Sequence, residues 1–170
     1  LQIDTEVSSR KGTAEVQQIF GDKRFSFPKP VELIKRFLSV GADKNAIILD
    51  SFAGSGTTAH AVLSLNNQDG GNRKFILIEL GDYANEITAE RVKRVINGYG
   101  EGSKIVEGTG GNFDFYELGQ PLFNEDGNLN EMVGVEKIRL YVFYTETKST
   151  IIEIQHKDNK HFLGKHNDTA

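Results

Sequence analysis

Cysteine is absent from the 170 residues, which removes disulfides, thiolate metal sites and any mechanism with a Cys nucleophile. Long apolar sequence is absent too: no stretch approaches the roughly 20 residues of a membrane span. Positive charge is in deficit. Lys and Arg number 20 against 24 Asp and Glu, a formal charge of −4, whereas a module that grips nucleic-acid phosphates unaided carries a basic excess or a basic face. The acidity still leaves room for a place beside DNA if another segment or chain makes the contacts. Leu1-Gln2-Ile3-Asp4 has neither an initiator Met nor a secretory signal, so the chain is expected to be a piece of a longer, cytoplasmic protein. What is present, 38% hydrophobic and 26% charged residues, fits a soluble globular domain with a smaller appendage.

Along the chain, Val16, Ile19 and Phe20 have helical spacing within 13–20, and Gly21 is a helix stop. Phe25-Ser26-Phe27-Pro28-Lys29-Pro30 is extended, because the prolines restrict the residues before them. Residues 31–40 form a helix with Val31, Ile34, Phe37 and Leu38 on one face, ended by Gly41. Ala46 to Asp50 reads as a strand buried on both faces, and a glycine turn leads into a helix from Thr57 to Leu65. A polar loop from Asn66 to Asn72 precedes a second buried strand, 75–79, and a helix from Tyr83 to Ile96 closed by Asn97-Gly98. That order predicts a parallel sheet. Beyond residue 100, Gly108 to Gly111 form a turn and 113–118 alternate like a third strand. Asn128 to Glu131 have the form of a capping box for a helix over 130–145, although Leu140 to Tyr144 also fit a strand. Ile151 to Ile154 and His161 to Leu163 read as strands.

The chemistry concentrates between Phe27 and Glu79. Gly54 and Gly56 permit φ > 0 and close backbone approach by a ligand, and the helix from Thr57 directs free N–H groups and a partial positive charge at it. Glu79 stands at the end of the next strand, where an acid can accept hydrogen bonds from ribose hydroxyls. A phosphate-binding loop of the G-x-x-x-x-G-K-[ST] type is set aside, because no Lys follows the glycines. A dinucleotide pattern is met by Gly54, Gly56 and Ala59, which alone is a weak match. S-adenosylmethionine suits Asp50 and Phe52 better: a carboxylate for its ammonium, and an aromatic face for a cation or adenine.

Asp50-Ser-Phe-Ala-Gly-Ser-Gly-Thr-Thr-Ala-His-Ala61 resembles the cofactor motif of amino-methylating DNA methyltransferases, and Phe27-Pro28-Lys29-Pro30 resembles that family's other cofactor segment. Their order is that of the β-class adenine-specific enzymes. The flanks, Thr5-Glu6-Val7, Glu15 to Phe20 and Thr145-Glu146-Thr147, look most like the modification subunit of type III restriction systems, in its C-terminal part. The resemblance implies an α/β, Rossmann-like S-adenosylmethionine-dependent methyltransferase fold, present as its cofactor-binding half with a small C-terminal α+β extension. Phe27, Pro28, Lys29 and Pro30 would line the methionine end, Asp50, Phe52, Gly54, Gly56 and Thr57 the centre, and Glu79 the ribose. Residues 1–24 would be a linker and short helix following a recognition segment, 25–120 the cofactor-binding part, and 121–170 the start of the extension. DNA, a restriction subunit and a second modification subunit in a homodimer are the implied partners.

The family's catalytic Asp-Pro-Pro-Tyr-like tetrapeptide is not found: the three prolines are Pro28, Pro30 and Pro121, no two adjacent. No catalytic residue is assigned, and the chain is expected to be inactive alone. Two other readings stand beside this one, a fragment of an NAD-dependent oxidoreductase and a non-catalytic cofactor-binding or assembly module. Individual residues have plainer readings as well. Asp50 would merely cap a turn, and Glu79 or Lys29 would be solvated. His60 reads as a packing residue rather than a base. His156, His161 and His166 lack the close spacing of metal ligands. Arg91, Lys93 and Arg94 read as a solvated basic face, or one that approaches DNA phosphates in an intact enzyme.

Overall fold

Helical spacing of Val16, Ile19 and Phe20 becomes the buried stripe of α1 (Ser9–Phe20) in a computed structural model that describes residues 7–150 and 162–163. Gly21 ends α1 in the left-handed region, φ 89°, its N–H donating to the Gln17 carbonyl, as a glycine at that position does. Pro30 is extended and caps α2 (Val31–Gly41). That helix runs through Gly41, which the sequence expects to end it, and extended Ala42 closes it. Of the four residues expected on its buried face, Val31 and Leu38 are buried and Ile34 packs beside them. Phe37 is exposed instead.

Two parallel strands follow, β1 (Ile47–Asp50) and β2 (Lys74–Leu77), in the register Ile48↔Phe75 and Asp50↔Leu77. The expectation that both strands are buried on two faces is corrected. Ile48, Phe75 and Leu77 pack under helices, whereas Ile47, Leu49, Ile76 and Ile78 are exposed, Leu49 by 63%. Side chains alternate across a strand, and the helices that pack on these strands meet one face. The sheet is therefore α/β, with its helix layer on a single side among the described residues.

Between the strands runs α3 (Thr57–Asp69), in which every residue from Thr57 to Leu63 is buried. One face joins α2 through Val31, Leu38, Ala61, Val62 and Leu65. Ala59 and Leu63 meet Val92 and Val95 of α4 (Glu90–Asn97) on another. The helix continues four residues past Leu65, through sequence expected to be a loop. Its polar residues serve the next segment: Asn66 bonds both the N–H and the carbonyl of Arg73, and Arg73 forks onto Asp69 at 3.0 and 3.1 Å.

The helix expected over 83–96 is broken into three geometries. A 3₁₀ turn at Asp82–Ala84 and a π turn at Asn85–Ala89 precede α4, which stops at Gly98 as expected. A short antiparallel pair follows, β3 (Gly98–Tyr99) with β4 (Val106–Glu107). No strand forms over 113–118. A strand needs a ladder partner, and here only Phe113 finds burial, against α3 and α4.

The chain divides into two compact units between Phe115 and Tyr116. In the second, α5 (Val135–Thr147) settles 140–144 as helix. The expected capping box at 128–131 is replaced by Asn130, whose side chain accepts the Met132 N–H, while Asn128 closes a turn on Asp126. The strand expected at 151–154 lies outside the described residues, as does His161; Phe162 and Leu163 are not in a strand. No helix among the described residues is long and apolar enough to cross a membrane.

Gly12 shows how tightly α1 sits against the segment after it. A Cβ there would collide with the Pro28 carbonyl oxygen and lie 2.9 Å from the Lys29 carbonyl carbon. Gly→Ala inside a helix ordinarily stabilises by about 1 kcal/mol. Gly12→Ala is expected to reverse that sign and destabilise by about 1–3 kcal/mol, the usual cost of overpacking. A urea midpoint at or above that of the parent chain contradicts it.

Candidate cofactor site

The site stands where the two parallel strands end. At the end of β1, Asp50 closes the strand-to-helix turn: Oδ1 accepts the Phe52 N–H at 3.1 Å and Oδ2 the Thr58 hydroxyl at 2.5 Å. Beyond β2, Glu79 reaches across, Oε2 accepting the Gly54 N–H at 2.7 Å and Oε1 the Gly81 N–H at 2.8 Å. Burial pushes the Glu79 carboxyl up, but the Gly81 and Gly54 N–H groups and the Tyr83 hydroxyl outweigh it and hold it below the usual glutamate range. Tyr83 is raised by its own burial and by that carboxylate, and its ring meets Phe25 edge-on at 5.4 Å. Both acids thus shape the turn. Each carboxylate oxygen of Glu79 takes one of these backbone donors, and the Leu80 backbone adds to the groups that stabilise its charge.

Gly54 and Gly56 have φ of 53° and 76°, the left-handed region that glycine enters without steric cost. Their bare sides face the protein. A Cβ on Gly54 would meet the Phe25 ring at 3.3 Å, and one on Gly56 the Thr88 carbonyl at 3.0 Å. Thr88, in the π turn, also donates its hydroxyl to the Gly54 carbonyl at 2.5 Å. Phe25 and Thr88 therefore make these glycines obligatory before any ligand is considered.

Thr57 is buried, and its hydroxyl donates to the Lys29 carbonyl at 3.1 Å. This bond joins the Phe-Pro-Lys-Pro segment to the glycine turn. Hydrogen bonds thereby bring together Lys29, Asp50, Gly54, Thr57 and Glu79. Pro28 and Pro30 are buried behind them, and the Lys29 side chain is exposed. Phe27 and Phe52 are 86% and 87% exposed; Phe52 is tied to the turn through its backbone N–H on Asp50, which leaves its ring open to solvent. Phe27 also holds φ 57°, a conformation that costs a non-glycine residue of order 1 kcal/mol and that clusters at ligand sites.

Three residues of this arrangement were not legible as site residues: Tyr83, Thr88 and Arg91. Arg91, read as part of a basic surface cluster, is fully buried, which corrects that reading; Lys93 is exposed and Arg94 partly so, pairing with Glu90. Arg91 Nη1 donates to Ser55 Oγ and Thr57 Oγ1, both at 2.9 Å. Thr88, Arg91, Val92 and Val95 share one helical face, so the signal was present: an arginine on an apolar stripe.

Arg91 Nη2 lies 3.3 Å from His60 Nδ1. Since arginine only donates, Nδ1 accepts and the imidazole proton sits on Nε2. Burial and the Arg91 and Lys35 charges lower the His60 pKa to about 3, so it is a neutral packing residue, as expected. Between that value and the ordinary value of about 6.5, the unfolded chain binds a proton that the folded chain refuses, and stability falls as pH drops through this window. His60→Asn, which keeps an acceptor near the Nδ1 position, is expected to flatten that part of the curve. Urea midpoints between about pH 4 and 6.5 check it, and an unchanged slope assigns the acid sensitivity elsewhere.

The geometry meets a consistent set of relatives. Among known proteins, the chain is 41% identical over 106 residues to the Mod subunit of the type III restriction-modification enzyme StyLTI of Salmonella typhimurium, covering 54% of this chain and 16% of that protein. It is 39% identical over 104 residues to the EcoPI Mod subunit of Escherichia phage P1, covering 53% and 16%. To the type II methyltransferase M.KpnI of Klebsiella pneumoniae it is 47% identical over 76 residues, covering 45% and 18%. The chain thus spans less than a fifth of the length of these relatives. Residues 3–90 match the DNA methylase family, just over half of the 170 residues and all of the turn described above: the chain belongs to the DNA methylase family.

Proposed function

We propose that this chain is the S-adenosylmethionine-binding portion of a site-specific DNA adenine methyltransferase of the type III modification-subunit kind. The observation that carries the reading is the glycine turn at the carboxyl ends of two parallel strands, bonded by Glu79 to one strand end and by Thr57 to Phe27–Pro30. Ligands of open α/β sheets bind at such strand ends, and the fold is taken as the cofactor-binding half of a Rossmann-like methyltransferase domain. Residues 25–120 form that part in this reading, and 121–170 begin an extension.

The residues fit the cofactor by chemistry. Glu79, an acid just past the end of β2, stands where a ribose diol is bound in open α/β sheets. Phe52 and Phe27 offer two exposed faces for an adenine or a sulfonium cation, and the exposed Lys29 suits a carboxylate. Gly56 and Thr57 serve through the shape of the turn that begins α3, and Asp50 keeps that turn closed. Bound there, S-adenosylmethionine would supply an electrophilic methyl group on sulfur. DNA, a restriction subunit and a second modification subunit belong to the intact protein in this reading. This chain has no Pro-Pro-aromatic segment to hold a flipped adenine, so methyl transfer is assigned to the intact enzyme.

Calorimetry of the chain is expected to show S-adenosylmethionine binding, competition by S-adenosylhomocysteine and no response to NAD. Phe52→Ala removes a ring that is 87% exposed; it is expected to weaken binding about tenfold, the scale of a cation–π or stacking contact, with the thermal midpoint unchanged. Tight NAD binding without S-adenosylmethionine binding would sink the reading. In a radiolabelled-methyl assay on unmethylated duplex, the chain alone is expected to stay at background, and incorporation above it would place catalytic residues within these 170.

A further inference from the structure

Lys29, Pro30 and Val31 are gripped from both ends by one connected set of polar groups. The Lys29 carbonyl accepts the Thr57 hydroxyl at 3.1 Å, and the Val31 N–H donates to Glu15 Oε2 at 3.0 Å. Arg91 stands between Thr57 and Glu15, its Nη1 2.9 Å from Thr57 Oγ1 and its Nη2 3.8 Å from Glu15 Oε2. Pro30, at the centre of the gripped tripeptide, is fully buried and its ring fixes φ.

Proton counting sets the direction of every bond. Thr57 has one hydroxyl proton, and Lys29 takes it. Thr57 Oγ1 must therefore accept from Arg91, and in the 3.2 Å Ser55–Thr57 pair Ser55 is the donor. The guanidinium is what leaves the Thr57 proton only one direction. It is also irreplaceable by an ammonium, because donors in a planar fork reach Thr57, Ser55, His60 and Glu15 at once.

We propose that Arg91 is the positioning residue of the cofactor site: its buried guanidinium holds the Phe27–Pro30 segment in register with the glycine turn, acting through Thr57 on one side of Pro30 and Glu15 on the other. The consequence for ligand binding rests on the function proposed above; the clamp itself does not. Helix α1, which supplies Glu15, is then a wall of the site rather than a linker before it.

Amide hydrogen exchange on the whole chain, read by NMR, tests the clamp without a ligand. In Arg91→Lys the Val31 amide is expected to exchange about tenfold faster, the scale of one lost hydrogen bond, while the core amides of Val62 and Val92 keep their rates. Thr57→Val should reproduce this, Thr57→Ser should restore the parent rate, and the Arg91→Lys/Thr57→Val double variant should add little to either alone. The S-adenosylmethionine dissociation constant should rise about tenfold in the same two single variants, again one bond's worth. A parent chain that binds no S-adenosylmethionine ends the proposed function, and the Val31 rates still decide the clamp. An unchanged Val31 rate, or equal acceleration of Val31, Val62 and Val92 in both variants, overturns the clamp. Faster Val31 exchange with unchanged cofactor affinity overturns the positioning role.

Discussion

A guanidinium without access to water must be surrounded by acceptors, and Arg91 imposes that condition on three separate parts of the chain. Burial lowers its pKa to about 10, and the Glu15 carboxylate opposes the fall, so it remains charged at neutral pH. Such a charge is costly to desolvate, and an apolar replacement of similar volume is often no less stable. What Arg91 supplies is geometry. α1, the glycine turn and α4 are brought to a common point by the bonds of its two Nη atoms, at the cost of an Nε–H left without a partner.

The same economy runs through the turn. Asp50, Glu79, Thr57 and Thr88 each spend side-chain hydrogen bonds on the protein's own backbone or on a neighbouring hydroxyl. In the function proposed above, the surface that meets a ligand is consequently backbone held at fixed positions, the Glu79 carboxylate and two exposed aromatic rings. Binding at a surface already ordered loses less conformational entropy than ordering one on contact. In the function proposed above, that rigidity has a purpose, because methyl transfer depends on placing two reacting atoms in line.

The strands carry a second constraint. Their residues are apolar on both faces, yet the helices that meet them pack on one, leaving Ile47, Leu49, Ile76 and Ile78 exposed. Two concavities, one of about 180 Å³ beside His60 and one of about 1050 Å³ beside α1, lie away from the glycine turn. The candidate site is a strand-end surface flanked by the exposed rings of Phe27 and Phe52, in a chain that spans less than a fifth of its relatives' length.

The sequence by itself determined the local geometry: Gly21 and Gly98 as helix stops, the extended segment through Pro30, and the strand–turn–helix–strand order with Gly54 and Gly56 at positive φ. These follow from backbone sterics and short-range periodicity, which neighbouring residues carry. It also marked Phe27–Pro30 and Asp50–Thr57 as belonging together, through resemblance. Only the tertiary structure decided which polar groups meet. Glu79 and Gly54 are 25 residues apart and Thr57 and Arg91 34, so no local pattern joins them. It also decided that α3 continues to Asp69, because Asn66 and Arg73 bond across a loop, and that 113–118 find no ladder partner. Burial was misread for a related reason: an apolar residue states what it tolerates, and whether a helix covers it depends on packing that lies elsewhere in the chain.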